Sequence, residues 1–90
     1  SEAEKKADGI RYRVLTKGVP FSQSRVPASE RVWQPYAYEI IWALLRPDRS
    51  ILEVIRIFDA IFGCRTSDKD IEAHLEYFRF LEKYGYVEKI

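Results

Sequence analysis

Two serine-capped helices in the second half of the chain constrain its fold more than any other feature. Ser50 followed by Glu53 is a capping box, in which side chain and backbone satisfy each other's orphan N–H groups. Ile51, Ile55, Phe58 and Phe62 then recur at helical spacing, and Gly63 supplies the stop. Ser67 with Asp70 is a shorter-armed version of the same box. The helix it opens runs to about Tyr84 and ends at Gly85. Tyr86–Ile90 reads as a terminal extension, a strand or a frayed end.

The first half is patterned differently. Ile10–Val14 alternates apolar and basic residues, the period of a half-buried strand. Lys17-Gly18 suits a hairpin turn, and Val19–Arg25 can return as a second strand with Pro20 at its edge. Glu30–Gln34 reads as a short third strand. Pro35 opens a helix carrying Ala37, Ile40, Ile41, Leu44 and Leu45 on its apolar face, and Pro47 closes it. The expected fold is therefore α+β and winged helix-turn-helix-like: a three-stranded antiparallel sheet followed by three helices. The polar start, residues 1–9, is expected as a disordered tail before a single domain over residues 10–90.

Composition narrows the function classes. Ninety residues suit one domain, and 47% hydrophobic with 14% aromatic residues suffices for a packed core. No apolar run approaches the roughly 20 residues of a membrane span, and the charged start resembles neither a signal peptide nor an anchor. A single cysteine, Cys64, leaves no internal disulfide and fits a reducing, cytoplasmic setting. The formal charge is +1, split as +3 over residues 1–50 (nine basic, six acidic) and −2 over residues 51–90 (six basic, eight acidic).

Catalysis finds little support in these residues. His74 and Cys64 are each unique, with no evident third group to orient them. Cys64 is expected as a small buried hydrophobe and His74 as a surface or partly packed helix residue. Asp68, Asp70, Glu72 and Glu76 are scattered around a helix by their spacing, so a solvated face explains them better than a metal site. The four glycines form no phosphate loop. No cofactor is expected.

DNA binding is the usual task of a winged helix, and its third helix would enter the groove. Here Ser67–Tyr84 holds three basic and five acidic residues, a charge of −2 that opposes phosphate. The same helix carries two apolar stripes. Ile71, Leu75, Phe78 and Leu81 form one; Ala73, Tyr77, Phe80 and Tyr84 form another, on nearly the opposite side. Either the helix is sandwiched in the core, or part of its second stripe lines a groove for a partner.

Several segments together resemble the PqqD-like domains, also called RiPP recognition elements after the ribosomally made, modified peptides they serve. The segments are Arg31-Val32-Trp33-Gln34-Pro35-Tyr36-Ala37-Tyr38-Glu39-Ile40-Ile41, Arg46-Pro47-Asp48-Arg49-Ser50-Ile51-Leu52-Glu53-Val54-Ile55, the acidic start of the last helix, and Phe80-Leu81-Glu82-Lys83-Tyr84-Gly85-Tyr86-Val87. The resemblance covers roughly residues 10–89. It implies a non-catalytic chaperone that captures the leader of a precursor peptide as an extra strand and delivers it to a modifying enzyme. The implied peptide-binding residues are Arg31, Val32, Trp33 and Gln34 on the third strand, with Ala73, Tyr77 and Phe80 on the last helix. The sheet-side arginines Arg11, Arg13 and Arg25 lead us to expect an acidic peptide. The expected partners are that peptide and that enzyme, with no nucleic acid, no membrane, and a monomer or weak dimer. The alternatives are a winged-helix DNA-binding transcription regulator and a protein–protein assembly module.

Overall fold

In the computed structural model, residues 1–15 and 38–90 are described. In chain order they form α1 (Glu2–Asp8), β1 (Tyr12–Val14), α2 (Tyr38–Leu44), α3 (Ile51–Phe62), α4 (Asp68–Lys83) and β2 (Val87–Lys89). Among the described residues this is a small α+β fold of four helices and a two-stranded antiparallel sheet. The expected winged-helix plan, a three-stranded sheet followed by three helices, is thereby corrected.

Two physical causes account for the difference. The first is α1, where a disordered tail was expected. Ser1 caps it, and Ser1 with Glu4 completes a reciprocal capping box. Ala3 and Ala7, four residues apart, share a face and are buried on α3 and α4. The second cause is the partner of β1. It pairs with β2, in the register Tyr12 with Lys89, Arg13 with Glu88 and Val14 with Val87. Gly85 makes this pairing reachable. Its φ of +79 turns the chain out of α4, and the Tyr86 N–H donates to the Leu81 carbonyl at 2.9 Å. The expected second strand (residues 19–25) and third strand (residues 30–34) lie outside the described residues.

The helical expectations fared better. α3 begins at Ser50, whose side chain accepts from the Glu53 N–H while the Glu53 carboxylate accepts from the Ser50 N–H. It ends at Gly63 in the left-handed region, φ +62. Ile51, Ile55 and Phe58 are buried, whereas Phe62, in the last turn, is half exposed. α4 begins at Ser67, which accepts from the Asp70 N–H. Its first stripe, Ile71, Leu75, Phe78 and Leu81, is buried throughout. Phe78 stacks on Tyr12 with ring centroids 5.3 Å apart, which ties β1 to the centre of α4. Each such side chain removed from water contributes about 1.5–3 kcal/mol.

Candidate functional site

The outer face of α4 carries a cleft of about 560 Å³ lined by Lys69, Asp70, Glu72, Ala73, Glu76 and Arg79. Lys69, Glu72, Ala73 and Glu76 follow i, i+3, i+4, i+7 spacing, so they share one side of the helix. Ala73 is its smallest lining side chain and leaves the room at its middle. Three carboxylates and two cations form the rim. Glu72 also accepts an ion pair from Lys6 at 3.3 Å, which brings α1 to one edge of the cleft. A rim with more acids than bases disfavours a phosphate backbone.

Of the residues expected to bind peptide, Ala73 lines this cleft. Tyr77 and Phe80 do not. They are 4% and 8% exposed, stack on each other at 6.1 Å, and belong to the hydrophobic core, with Tyr84 packed against Phe80 at 5.0 Å. They brace α4 from beneath rather than offer open aromatic faces. Arg31, Val32, Trp33 and Gln34 lie outside the described residues, as does Arg25. Arg13 donates to Glu88 across the sheet at 2.9 Å, so its charge is matched locally.

A second polar cluster surrounds Asp59, which sequence reasoning missed. Its carboxylate is buried at the end of α3 and accepts four hydrogen bonds. Thr66 donates its hydroxyl at 2.6 Å and its N–H at 3.0 Å; Arg56 donates at 2.8 Å and the Cys64 thiol at 3.5 Å. Burial alone would raise the Asp59 pKa, but the Thr66 and Arg56 donors hold it below its ordinary value. Arg56 also donates to Glu4 at 2.7 Å, joining α1 to the cluster. This hydrogen bond is the leading reason the Glu4 carboxyl is lowered to about 2. The sequence signal is modest: an aspartate in the last helical turn, with a threonine seven residues on that can tie the loop back to it.

Cys64 is exposed, not the buried hydrophobe expected, because it follows the Gly63 stop in the loop between α3 and α4. Desolvation and then the bond to Asp59 push its thiol pKa up, the wrong direction for a nucleophile. His74, expected at the surface or partly packed, is buried, and burial lowers its pKa against the opposing pull of Asp70 and Asp59. Its position on α4, three residues beyond Ile71 and four before Phe78, places it beside the core stripe. Among the described residues no group of three His, Cys, Asp or Glu side chains is placed to hold a metal ion, and no helix is long and apolar enough to cross a membrane. The chain matches no protein-family model, no curated protein and no solved structure.

Proposed function

We propose that the chain is a non-catalytic peptide-binding domain that captures the leader of a ribosomal precursor peptide and delivers it to a modifying enzyme in the cytoplasm. The observation that carries this reading is the cleft along α4, floored by Ala73 and rimmed by Asp70, Glu72, Glu76, Lys69 and Arg79. An extended peptide presents side chains on alternate sides, and a cleft beside a rigid helix accepts one set of them. α4 is suited to the task because its first apolar stripe and, from the second, Tyr77 and Phe80 are buried, which fixes the cleft wall in place. The chemistry of the titratable groups favours binding over catalysis. Asp59 is saturated by structural donors, the Cys64 thiol is pushed toward its protonated form, and His74 is buried. The likeness of the sequence to PqqD-like domains supports a precursor leader as the peptide. In this proposal the leader is captured by strand addition, with residues 31–34 and the α4 cleft as its expected contacts.

The experiment is selection of binders from a random-peptide phage library, followed by titration against Ala73→Arg and Glu76→Lys. Ala73→Arg fills the cleft and should weaken selected peptides about a hundredfold, comparable to losing one well-placed contact. A thermal melt confirms that each variant folds. Selected peptides that bind Ala73→Arg as well as the parent would remove the cleft from the account.

A further inference from the structure

The charges of the α4 cleft fall in a definite order along the helix. Lys69 stands at one end and Arg79 at the other, with Ala73 between them. At the helical rise of about 1.5 Å per residue, Ala73 lies about 6 Å from Lys69 and about 9 Å from Arg79 along the axis. The carboxylates of Asp70, Glu72 and Glu76 come between the two cations. The rim therefore reads cation, anions, cation.

These charges differ in how far the fold already matches them. Glu72 is half-buried and is held by Lys6 at 3.3 Å. Lys69, Asp70, Glu76 and Arg79 are exposed, and among the described residues none of the four forms an ion pair. The cleft thus offers two unmatched anions around Ala73 and one unmatched cation at each end.

An extended peptide sets the side chains of one face about 6.7 Å apart, so three of them span about 13 Å. That is close to the axial distance of about 15 Å between Lys69 and Arg79, and their long side chains close the difference. The middle side chain falls over Ala73. The small methyl group there admits the aliphatic stem of a long cationic residue, whose head reaches toward Asp70 and Glu76. The outer two fall opposite Lys69 and Arg79. The order is symmetric, so it fits a peptide running in either direction.

We propose that the cleft reads an alternating-charge segment: an acidic residue, any residue, a lysine or arginine, any residue, and a second acidic residue. The central cation sits over Ala73 between Asp70 and Glu76, and the two acids pair with Lys69 and Arg79. This pattern rests on the peptide-binding reading of the cleft and adds the order of charges to it. An all-acidic segment meets Asp70 and Glu76 at its centre, and an all-basic one meets Lys69 and Arg79 at its ends. Like charges therefore penalise either wrong order.

Panning a random dodecapeptide phage library on the full chain tests the order. Selected peptides should share the core of acid, spacer, base, spacer, acid. In a synthetic copy of one of them, changing the central base to glutamate should weaken binding at least about fivefold at low salt, and molar salt should erase the difference. A chain carrying both Lys69→Glu and Arg79→Glu, checked by thermal melt, should lose that peptide by a similar factor. It should regain a copy in which the two acids are lysines. Selected peptides that Ala73→Arg weakens but that lack the core overturn the charge order and leave the peptide-binding reading standing. So does a charge-swapped chain that does not regain the swapped peptide, or a central glutamate without effect. Peptides indifferent to Ala73→Arg overturn both.

Discussion

Tyr77 and Phe80 stack at 6.1 Å with their rings nearly parallel, on the side of α4 away from Ile71 and Leu75. That pairing settles what the second apolar stripe does in this fold. Both rings are buried, so this part of the stripe is core, and the cleft opens over its first member, Ala73.

The first prediction follows from that placement. Phe80→Ala and Tyr77→Ala should each cost about 3–5 kcal/mol of stability, as for other buried aromatics truncated to alanine. Glu76→Ala, on the exposed rim, should stay within about 0.5 kcal/mol of the parent. Urea titrations of the three variants measure this. A Phe80→Ala melt close to the parent's would return that side chain to the surface.

Asp59 carries the second prediction. Removing a buried carboxylate leaves both Thr66 donors without their acceptor and Arg56 with Glu4 as its remaining anionic partner. Asp59→Ala should therefore cost about 2–3 kcal/mol, the upper range for leaving buried donors unsatisfied. Thr66→Val removes one of four donors and should cost about 1 kcal/mol. Equal and small losses in both would mean that Asp59 is not the hub of the α3–α4 loop.

The third prediction concerns acid. His74 is held below its ordinary 6.5 in the folded chain, so the unfolded chain takes up a proton first as pH falls. Its contribution is fully present above 6.5 and is lost progressively below it. Glu4 behaves the same way lower down. Its folded pKa is about 2 against an ordinary 4.5, so its contribution is lost between those values. Asp59, also lowered, adds to the acid loss below 3.8. Denaturant midpoints measured from pH 7 to pH 3 should therefore fall in two stages, with the lower stage flattened in Glu4→Gln. A stability that stays level across this range would contradict the burial of His74 and the Glu4–Arg56 contact together.

How much of this was legible in the sequence depends on where each structure finds its cause. α3 and α4 were readable to within a residue because their causes are local. Ser50 and Ser67 cap the starts, Gly63 and Gly85 mark the ends, and the stripe between them has a single period. α1 escaped although Ser1 and Glu4 spell the same capping box, because a run of charges with two alanines looks like a solvated tail until α3 and α4 are packed beside it. The alternation in Ile10–Val14 announced a strand but not its partner. The pairing with Val87–Lys89 spans nearly the whole chain and depends on the turn at Gly85. Tyr77 and Phe80 were correctly seen as a second apolar stripe, yet helical spacing alone does not distinguish a covered stripe from an open one. The cleft was legible only through Ala73. Its charged rim is the polar strip between the two apolar ones, which in sequence reads as ordinary solvated surface.

The central claim is that a peptide docks in the cleft along α4. The most direct measurement is amide shift mapping on the labelled full chain as a library-selected peptide is titrated in. The account predicts that the largest changes fall on Lys69, Glu72, Ala73, Glu76 and Arg79, together with residues 31–34, and that they vanish in Ala73→Arg. Changes clustered instead around the exposed Ile61 and Phe62 at the end of α3, or along β2, would contradict it.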